Sequence, residues 1–97
     1  MKHKISEIQI VPVKPKNGLV AFASFVLDGI IYLGSIGIMT KLNGGFRLVY
    51  PTKKVGNKNI NFFHPINKEF GYFVENEVLK HFEKVMKKYD RHNSFNS

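Results

Sequence analysis

Hydrophobic residues fall into four long runs in the first half of the chain, and short turn signals separate the runs. The runs are rich in β-branched and aromatic residues, which is typical of strands. Asp28-Gly29 is a strong hairpin signal because both turn positions require a positive φ, and Asn43-Gly44-Gly45 predicts a second hairpin for the same reason. The pattern therefore predicts an antiparallel meander of four strands. The runs cover residues 5–13, 18–27, 30–40 and 46–52, and a short fifth run at 60–64 has no certain place in the sheet.

The second run is apolar at nearly every position, so both of its faces need cover. A sheet with one wet face should alternate apolar with polar residues. Here one predicted face carries Leu19, Ala21, Ala23, Phe25 and Leu27, and the other carries Val20, Phe22, Ser24 and Val26. The chain offers only one helix to cover a face. We therefore expect a second subunit to cover the other face.

Small residues interrupt the third run at Gly34, Ser35 and Gly37. Glycine weakens a strand unless another group approaches it closely. An intersubunit contact would explain these residues, and so would a bulge or a strongly twisted strand. The two interpretations are equally compatible with the sequence.

The spacing of apolar residues changes to a helical period from about residue 68 to residue 89. An apolar stripe recurs every three or four residues, at Val74, Val78, Phe82, Val85 and Tyr89. Such a helix is about 30 Å long, enough to cross the sheet, and Asn67 or a neighbour should cap its start. We predict an α+β fold, with one homodimeric domain over residues 1–89 and a disordered tail over 90–97.

Composition narrows the functional classes. The chain of 97 residues has no cysteine, which excludes disulfides, thiolate catalysis and cysteine-ligated zinc. No apolar run is long enough to cross a membrane, and the N-terminus lacks the pattern of a secretory signal, so a cytoplasmic protein is expected. Fifteen basic residues against seven acidic ones give a net charge of +8. This excess favours a polyanionic partner, nucleic acid rather than an anionic membrane, although a solvated lysine-rich surface has the same composition.

Four segments in a fixed order resemble the SpoVG family, named for stage V sporulation protein G. The resemblance runs from about Ile5 to Met86, and four motifs in register make it specific. The segments are "LVAFASFVLDG", "LGSIGIM", "NGGFRLVYPTKK" and "NINFFHPIN". The most specific pieces are Ala23-Ser24 with Leu27-Asp28, Pro51-x-Lys53, and His64-Pro65-Ile66-Asn67.

The resemblance implies a small homodimer with a sheet and one C-terminal helix. It implies a role in sporulation, septation and gene regulation, and binding to DNA and RNA, in a family without an established enzyme. The sequence departs from the family at the helix start, where "KEFGYF" replaces a basic stretch. Gly71 stands where arginine is common, so part of any nucleic-acid contact there is lost.

Basic residues are the main functional candidates. Five of them and no acid lie between residues 41 and 58, in segments predicted to be hairpin ends and loops. In the helix, Lys80, Lys84 and Lys87 lie on the face opposite the apolar stripe. Two explanations fit these lysines: phosphate contacts, or the helix dipole together with a Glu83–Lys87 pair. The predicted nucleic-acid contacts are Arg47, Lys53, Lys54, Lys58, Lys68, Lys80, Lys84 and Lys87.

His64 is predicted to be a structural joint together with Pro65. No carboxylate or nucleophile has a recognisable spacing to His64, and the four histidines are scattered, so we predict no catalytic site, metal site or cofactor. Proline biases the residue before it toward extended backbone, which directs the chain from a strand into the helix.

Aromatic residues follow the strand and helix patterns and are therefore expected in the core or at an interface. The residues concerned are Tyr32, Phe46, Tyr50, Phe62, Phe63 and Phe82. Tyr72 and Phe73 are less constrained and could be exposed. The sequence thus predicts a non-enzymatic homodimeric regulator that binds DNA or RNA. The alternative is a protein-interaction module acting on the cell-division machinery.

Overall fold

The computed structural model describes the backbone of residues 2–96 and the side chains of residues 2–88. In this described part of the chain, six strands precede one helix. The strands are β1 (Ile5–Lys16), β2 (Leu19–Leu27), β3 (Ile31–Thr40), β4 (Phe46–Val49), β5 (Thr52–Val55) and β6 (Lys58–Asn61), and the helix is α1 (Lys68–Asn96).

The first four strands form the predicted antiparallel meander, in the order β1-β2-β3-β4. The turn between β2 and β3 has the expected geometry, since Asp28 has a φ of 53° and Gly29 a φ of 69°. The amide of Ile30 closes this turn by donating to the carbonyl of Leu27 at 3.0 Å. The hairpin predicted at Asn43-Gly44-Gly45 joins β3 to β4 and is also confirmed.

A bulge accounts for two of the small residues of β3, Gly34 and Ser35. Ala23 pairs with Ile36 and Phe25 pairs with Leu33, so β3 has one extra residue in this interval, where Ser35 has a φ of 58°. A β-carbon on Gly34 would lie 2.9 Å from the Tyr32 ring. A bulge is therefore present at Gly34 and Ser35, and the close approach to Gly34 comes from the same chain, while an intersubunit contact at β3 stays a prediction.

A second register shift corrects the predicted faces of β2. Leu19 pairs with Met39, whereas Ala21 pairs with Ile38, so Val20 is an extra residue on β2. Val20 therefore packs against the helix-side core. Leu19 instead lies close to Gly37 on the opposite face. The prediction was wrong for Leu19 and Val20 because one extra residue reverses the alternation of side chains.

The core lies between the sheet and α1, as the predicted helical cover requires. Three stripe residues of the helix are fully or almost fully buried against residues from β2 and β3. Phe82 also packs edge-on against Phe46 of β4, with ring centroids 4.9 Å apart. The buried apolar residues are Ala21, Ala23, Phe25, Ile36, Ile38, Val74, Val78 and Phe82.

Helix α1 begins at Lys68, and Asn67 caps it as predicted. The Asn67 side-chain oxygen accepts a hydrogen bond from the amide of Phe70 at 2.7 Å, which satisfies one of the free amides of the first turn. Two predictions concern residues whose side chains lie outside the described part of the chain. They are the stripe position at Tyr89 and the disordered tail at 90–97.

Strands β5 and β6 form a separate two-stranded sheet, which differs from the predicted boundaries. The run 46–52 divides at Pro51, because proline has no amide hydrogen to donate to a ladder. A two-residue turn, Gly56-Asn57, joins β5 to β6. β6 ends at Asn61, so Phe62 to His64 belong to the connection that leads into α1.

Candidate nucleic-acid interface

The β5–β6 hairpin (residues 52–61), called the basic hairpin below, presents three of the predicted contacts. Lys53 and Lys54 lie on β5, and Lys58 begins β6. Every residue of both strands is exposed. Lys53 is opposite Ile60 and Lys58 is opposite Val55, so these two lysines share one face, whereas Lys54 lies on the other. The hairpin therefore presents positive charge on both faces.

Two contacts close the base of the basic hairpin. The amide of Phe62 donates to the carbonyl of Pro51 at 2.9 Å. The rings of Tyr50 and Phe63 pack edge-on, with centroids 5.9 Å apart. Burial, together with the nearby Glu75 carboxylate, raises the pKa of Tyr50 to about 12, so this phenol is neutral at physiological pH. Both ends of the hairpin are thus held against the folded body.

Arg47 lies on the face of the sheet that points away from the helix. Its neighbours Phe46 and Leu48 pack against the helix-side core, and side chains alternate along a strand. Arg47 is exposed and is paired across the strands with Met39. It therefore belongs to a different surface from the helix lysines.

Lys68 lies beside the base of the basic hairpin, because it lines the same groove as Tyr50 and Pro65. Gly71 and Tyr72 line this groove as well. A β-carbon on Gly71 would meet Pro65 at 3.6 Å, an ordinary contact distance. The fold therefore leaves room for the longer side chain that the family resemblance leads one to expect at position 71.

The helix lysines lie on the outer side of α1. Lys80, Lys84 and Lys87 are exposed, and Lys80 is 3.6 Å from the Glu77 carboxylate. The expected Glu83–Lys87 pair is not among the ion pairs of the described side chains. Because α1 covers the opposite face from Arg47, the predicted contacts do not form one surface. They form three groups: the basic hairpin with Lys68, the helix lysines, and Arg47 alone.

His64 is exposed in the connection between β6 and α1. Its Nδ1 donates to the carbonyl of Pro65 at 3.1 Å, a local contact of the kind expected for a joint. Among residues 2–88, no three His, Asp or Glu side chains come together as a metal site would require. The structural role of His64 and Pro65 stays a prediction.

Asp28 makes contacts that the sequence did not reveal. Its carboxylate accepts a hydrogen bond from the Lys4 amide at 2.8 Å and lies 2.9 Å from the His3 Nδ1. The Lys4 amide, followed by His3, lowers the pKa of Asp28. His3 also packs edge-on against Phe70 of the helix, at 5.4 Å between centroids. The Asp-Gly turn signal located Asp28 but gave no indication of these partners.

The aromatic predictions divide into two groups. Phe82 is buried as expected, and Tyr72 is exposed. Phe73 packs against the core. Tyr32 and Phe62 are 67% and 66% exposed in the single chain, so neither lies in its core, and a place for them at an interface stays a prediction.

The sheet face away from α1, called the open face below, is uncovered in the described part of the chain. Val11 of β1, Phe22 of β2 and Tyr32 of β3 are exposed there and lie around one shallow pocket. Ser24 lines the same pocket, and among the described residues it is the one polar residue that is buried. Exposed apolar and aromatic residues gathered on one face are typical of an interaction site.

The SpoVG family model matches residues 3–84 of this sequence. The chain belongs to the SpoVG family. A curated relative from Treponema denticola, named "Putative septation protein SpoVG", is 30% identical over 83 residues, which cover 84% of this chain and 88% of the relative. The relative is thus named for septation and not for a catalysed reaction. Within the described residues of this SpoVG-family chain, no helix has the length and hydropathy of a membrane span.

Proposed function

We propose that this SpoVG-family protein is a non-enzymatic, cytoplasmic regulator that binds nucleic acid as a homodimer and acts in septation, sporulation and gene regulation. The observation that carries the proposal is the basic hairpin. It presents Lys53, Lys54 and Lys58 on an exposed two-stranded arm, in a stretch of the chain that has no acidic residue.

The physical basis is electrostatic. Flexible lysines that contact phosphates release counterions, and this release supplies most of the affinity for nucleic acid without depending on sequence. The net charge of +8 attracts a polyanion over a longer range. Lys68 lies near the hairpin base and extends the same positive surface.

The open face supports the homodimer. It exposes Val11, Phe22 and Tyr32, apolar and aromatic residues suited to the centre of an interface. A second copy of the chain would cover this face symmetrically. The dimer would then present two basic hairpins to one nucleic acid, which raises the overall affinity without new contacts.

A titration by fluorescence anisotropy tests the proposal, using labelled duplex DNA and labelled single-stranded RNA at low and high salt. We expect binding that weakens steeply with salt. The Lys53→Ala/Lys54→Ala variant should bind more weakly and lose about 0.9 from the log–log salt slope for each phosphate contact removed from duplex DNA.

The matched control is Lys14→Ala/Lys16→Ala, which removes the same charge from exposed positions at the end of β1. It should reduce affinity much less. Equal losses in the two variants would mean that net charge, rather than the hairpin, supplies the affinity. An affinity unchanged between the two salt concentrations would contradict the electrostatic mechanism.

A protein-interaction module of the cell-division machinery is the second candidate function. The name of the Treponema denticola relative, which refers to septation, favours it. Under this alternative the purified protein has negligible affinity for nucleic acid at physiological salt. A partner recovered with it would remain bound after nuclease treatment.

A further inference from the structure

The register of the basic hairpin sorts its residues into two chemically different faces. Residues directly opposite each other share a face, and residues two apart along a strand share it too. One face is entirely polar and consists of Thr52, Lys54, Asn59 and Asn61. The other face mixes aliphatic and basic residues and consists of Lys53, Val55, Lys58 and Ile60.

The polar face contains side chains that suit the base edges of DNA. Asparagine makes two hydrogen bonds to the N6 and N7 of adenine, and lysine binds the O6 and N7 of guanine. The methyl group of threonine contacts the thymine methyl. All four polar residues are exposed, so their hydrogen-bonding groups are accessible to a ligand.

The spacing of these side chains also matches duplex DNA. Thr52 is opposite Asn61 and Lys54 is opposite Asn59, so the polar face consists of two consecutive cross-strand pairs. Such pairs are separated by about 7 Å along the strands, close to two base steps of about 3.4 Å each. The two cross-strand pairs therefore match base pairs that lie two steps apart.

We propose that the polar face of the basic hairpin enters the major groove of duplex DNA and reads base edges there. The proposal rests on the nucleic-acid function proposed above and adds its target class and its reading residues. The major groove of B-form DNA is about 12 Å wide and admits a two-stranded ribbon, whereas the major groove of A-form RNA is too narrow for side chains to read.

The second face of the hairpin suits the outer side of such a complex. Lys53 lies on β5 and Lys58 lies on β6. With the polar face toward the bases, one lysine lies near each wall of the groove, within reach of the two phosphate backbones. The phosphate contacts thus position the ribbon, and the polar face supplies the specificity.

The test is a selection from a randomised duplex DNA library, carried out with the full-length protein and with Asn59→Ala and Asn61→Ala variants. We expect the unmodified protein to enrich a sequence that contains adenine. Each variant should lose roughly five- to one-hundredfold in preference at one position of that sequence. Asn76→Ala, at an exposed position of α1, is the matched control and should retain the preference.

A second arm replaces the purines of the selected duplex with 7-deaza analogues, which lack the N7 acceptor of the major groove. We expect the unmodified protein to bind the 7-deaza duplex more weakly than the normal duplex. Each Asn→Ala variant should show no additional loss when the 7-deaza purine stands at the position that the variant no longer reads. Because the hairpin residues lie outside the core, thermal melts of the variants should match the unmodified protein.

The outcomes separate this inference from the proposed function. Salt-sensitive binding without sequence preference, or a preference unchanged by both variants and by 7-deaza purines, would overturn major-groove reading and leave nucleic-acid binding intact. Binding to single-stranded RNA alone would also overturn it. The absence of binding to every nucleic acid would overturn both proposals.

Discussion

Asp28 connects three parts of the fold through one short side chain. It occupies a turn position with positive φ, accepts the Lys4 amide, and pairs with His3, which packs on the helix residue Phe70. Asp and Asn tolerate this backbone conformation better than most residues do. A residue selected for its turn geometry therefore also fastens the start of β1 to the rest of the protein.

Replacing Asp28 should lower thermal stability in a way that depends on pH. Because the folded state lowers the pKa of this carboxyl, its contribution is complete above the unfolded-state pKa and declines as the pH falls through the folded-state value. We expect Asp28→Ala to melt several degrees below the unmodified protein at neutral pH. Asp28→Asn, which keeps the acceptor and the turn preference, should melt between the two.

Melting curves from neutral to strongly acidic pH would test this prediction. The gap between the unmodified protein and Asp28→Asn should narrow toward acid, as the carboxylate becomes protonated. A gap that stays constant across the whole pH range would show that the charge of Asp28 has no part in the effect.

His64 makes a contact that should affect stability but not binding. Its ring donates to the Pro65 carbonyl from an exposed position. His64→Ala should therefore lower the free energy of unfolding by about 0.5 kcal/mol, the low end for a hydrogen bond. Urea denaturation measures this loss, and anisotropy should show unchanged affinity for nucleic acid. Intact stability with abolished binding would contradict the structural role.

At the scale of elements, the start of α1 offers a direct test of capping. Asn67→Ala removes the acceptor of the Phe70 amide and should lower the free energy of unfolding by about 1 kcal/mol. Chemical denaturation measures the change, with Asn76→Ala on the exposed helix surface as the control. The control should be neutral or slightly stabilising, because alanine is the better helix former. Equal destabilisation by both changes would exclude a specific capping effect.

Elements with local signals could be predicted, and elements that depend on register could not. The meander was predictable because Asp28-Gly29 and Asn43-Gly44-Gly45 encode tight turns, and the helix because its apolar stripe is regular. The bulge that moves Val20 to the helix side depends on pairing with β3, which no local pattern encodes. The bounds of β5 and β6 were not predicted, because such short and mostly polar strands give no regular alternation to recognise.

At the scale of the whole molecule, the open face makes the oligomeric state testable. Phe22→Lys would place an unpaired charge in the proposed interface, which costs several kcal/mol when the charge is buried. We expect the dimer dissociation constant to rise by at least about a hundredfold, and light scattering should detect monomers. Val11→Lys should act in the same direction.

Leu42→Lys is the matched control, because Leu42 is fully exposed in the β3–β4 turn. It should leave the mass unchanged. A dimer that persists in both open-face variants would place the subunit contact elsewhere on the molecule. Circular dichroism of each variant would establish that the fold is retained.

The candidate site could be predicted as a set of residues but not as a surface. Counting charges identified Arg47, Lys53 and Lys84 as exposed cations, and the structure exposes all three. Their arrangement depends on which face of the sheet the helix covers and on where the basic hairpin leaves the sheet. Both are tertiary properties, so the sequence could not show that Arg47 and the helix lysines lie on opposite sides.

The closed base of the basic hairpin has a consequence for how the family can diversify. The Pro51–Phe62 hydrogen bond and the Tyr50–Phe63 contact fasten the hairpin from outside residues 52–61, and those residues contribute nothing to the buried core. Substitutions within the hairpin therefore carry little folding penalty. Under the proposed function, the segment is an interchangeable cassette, in which target choice evolves or is engineered by grafting while the scaffold stays constant.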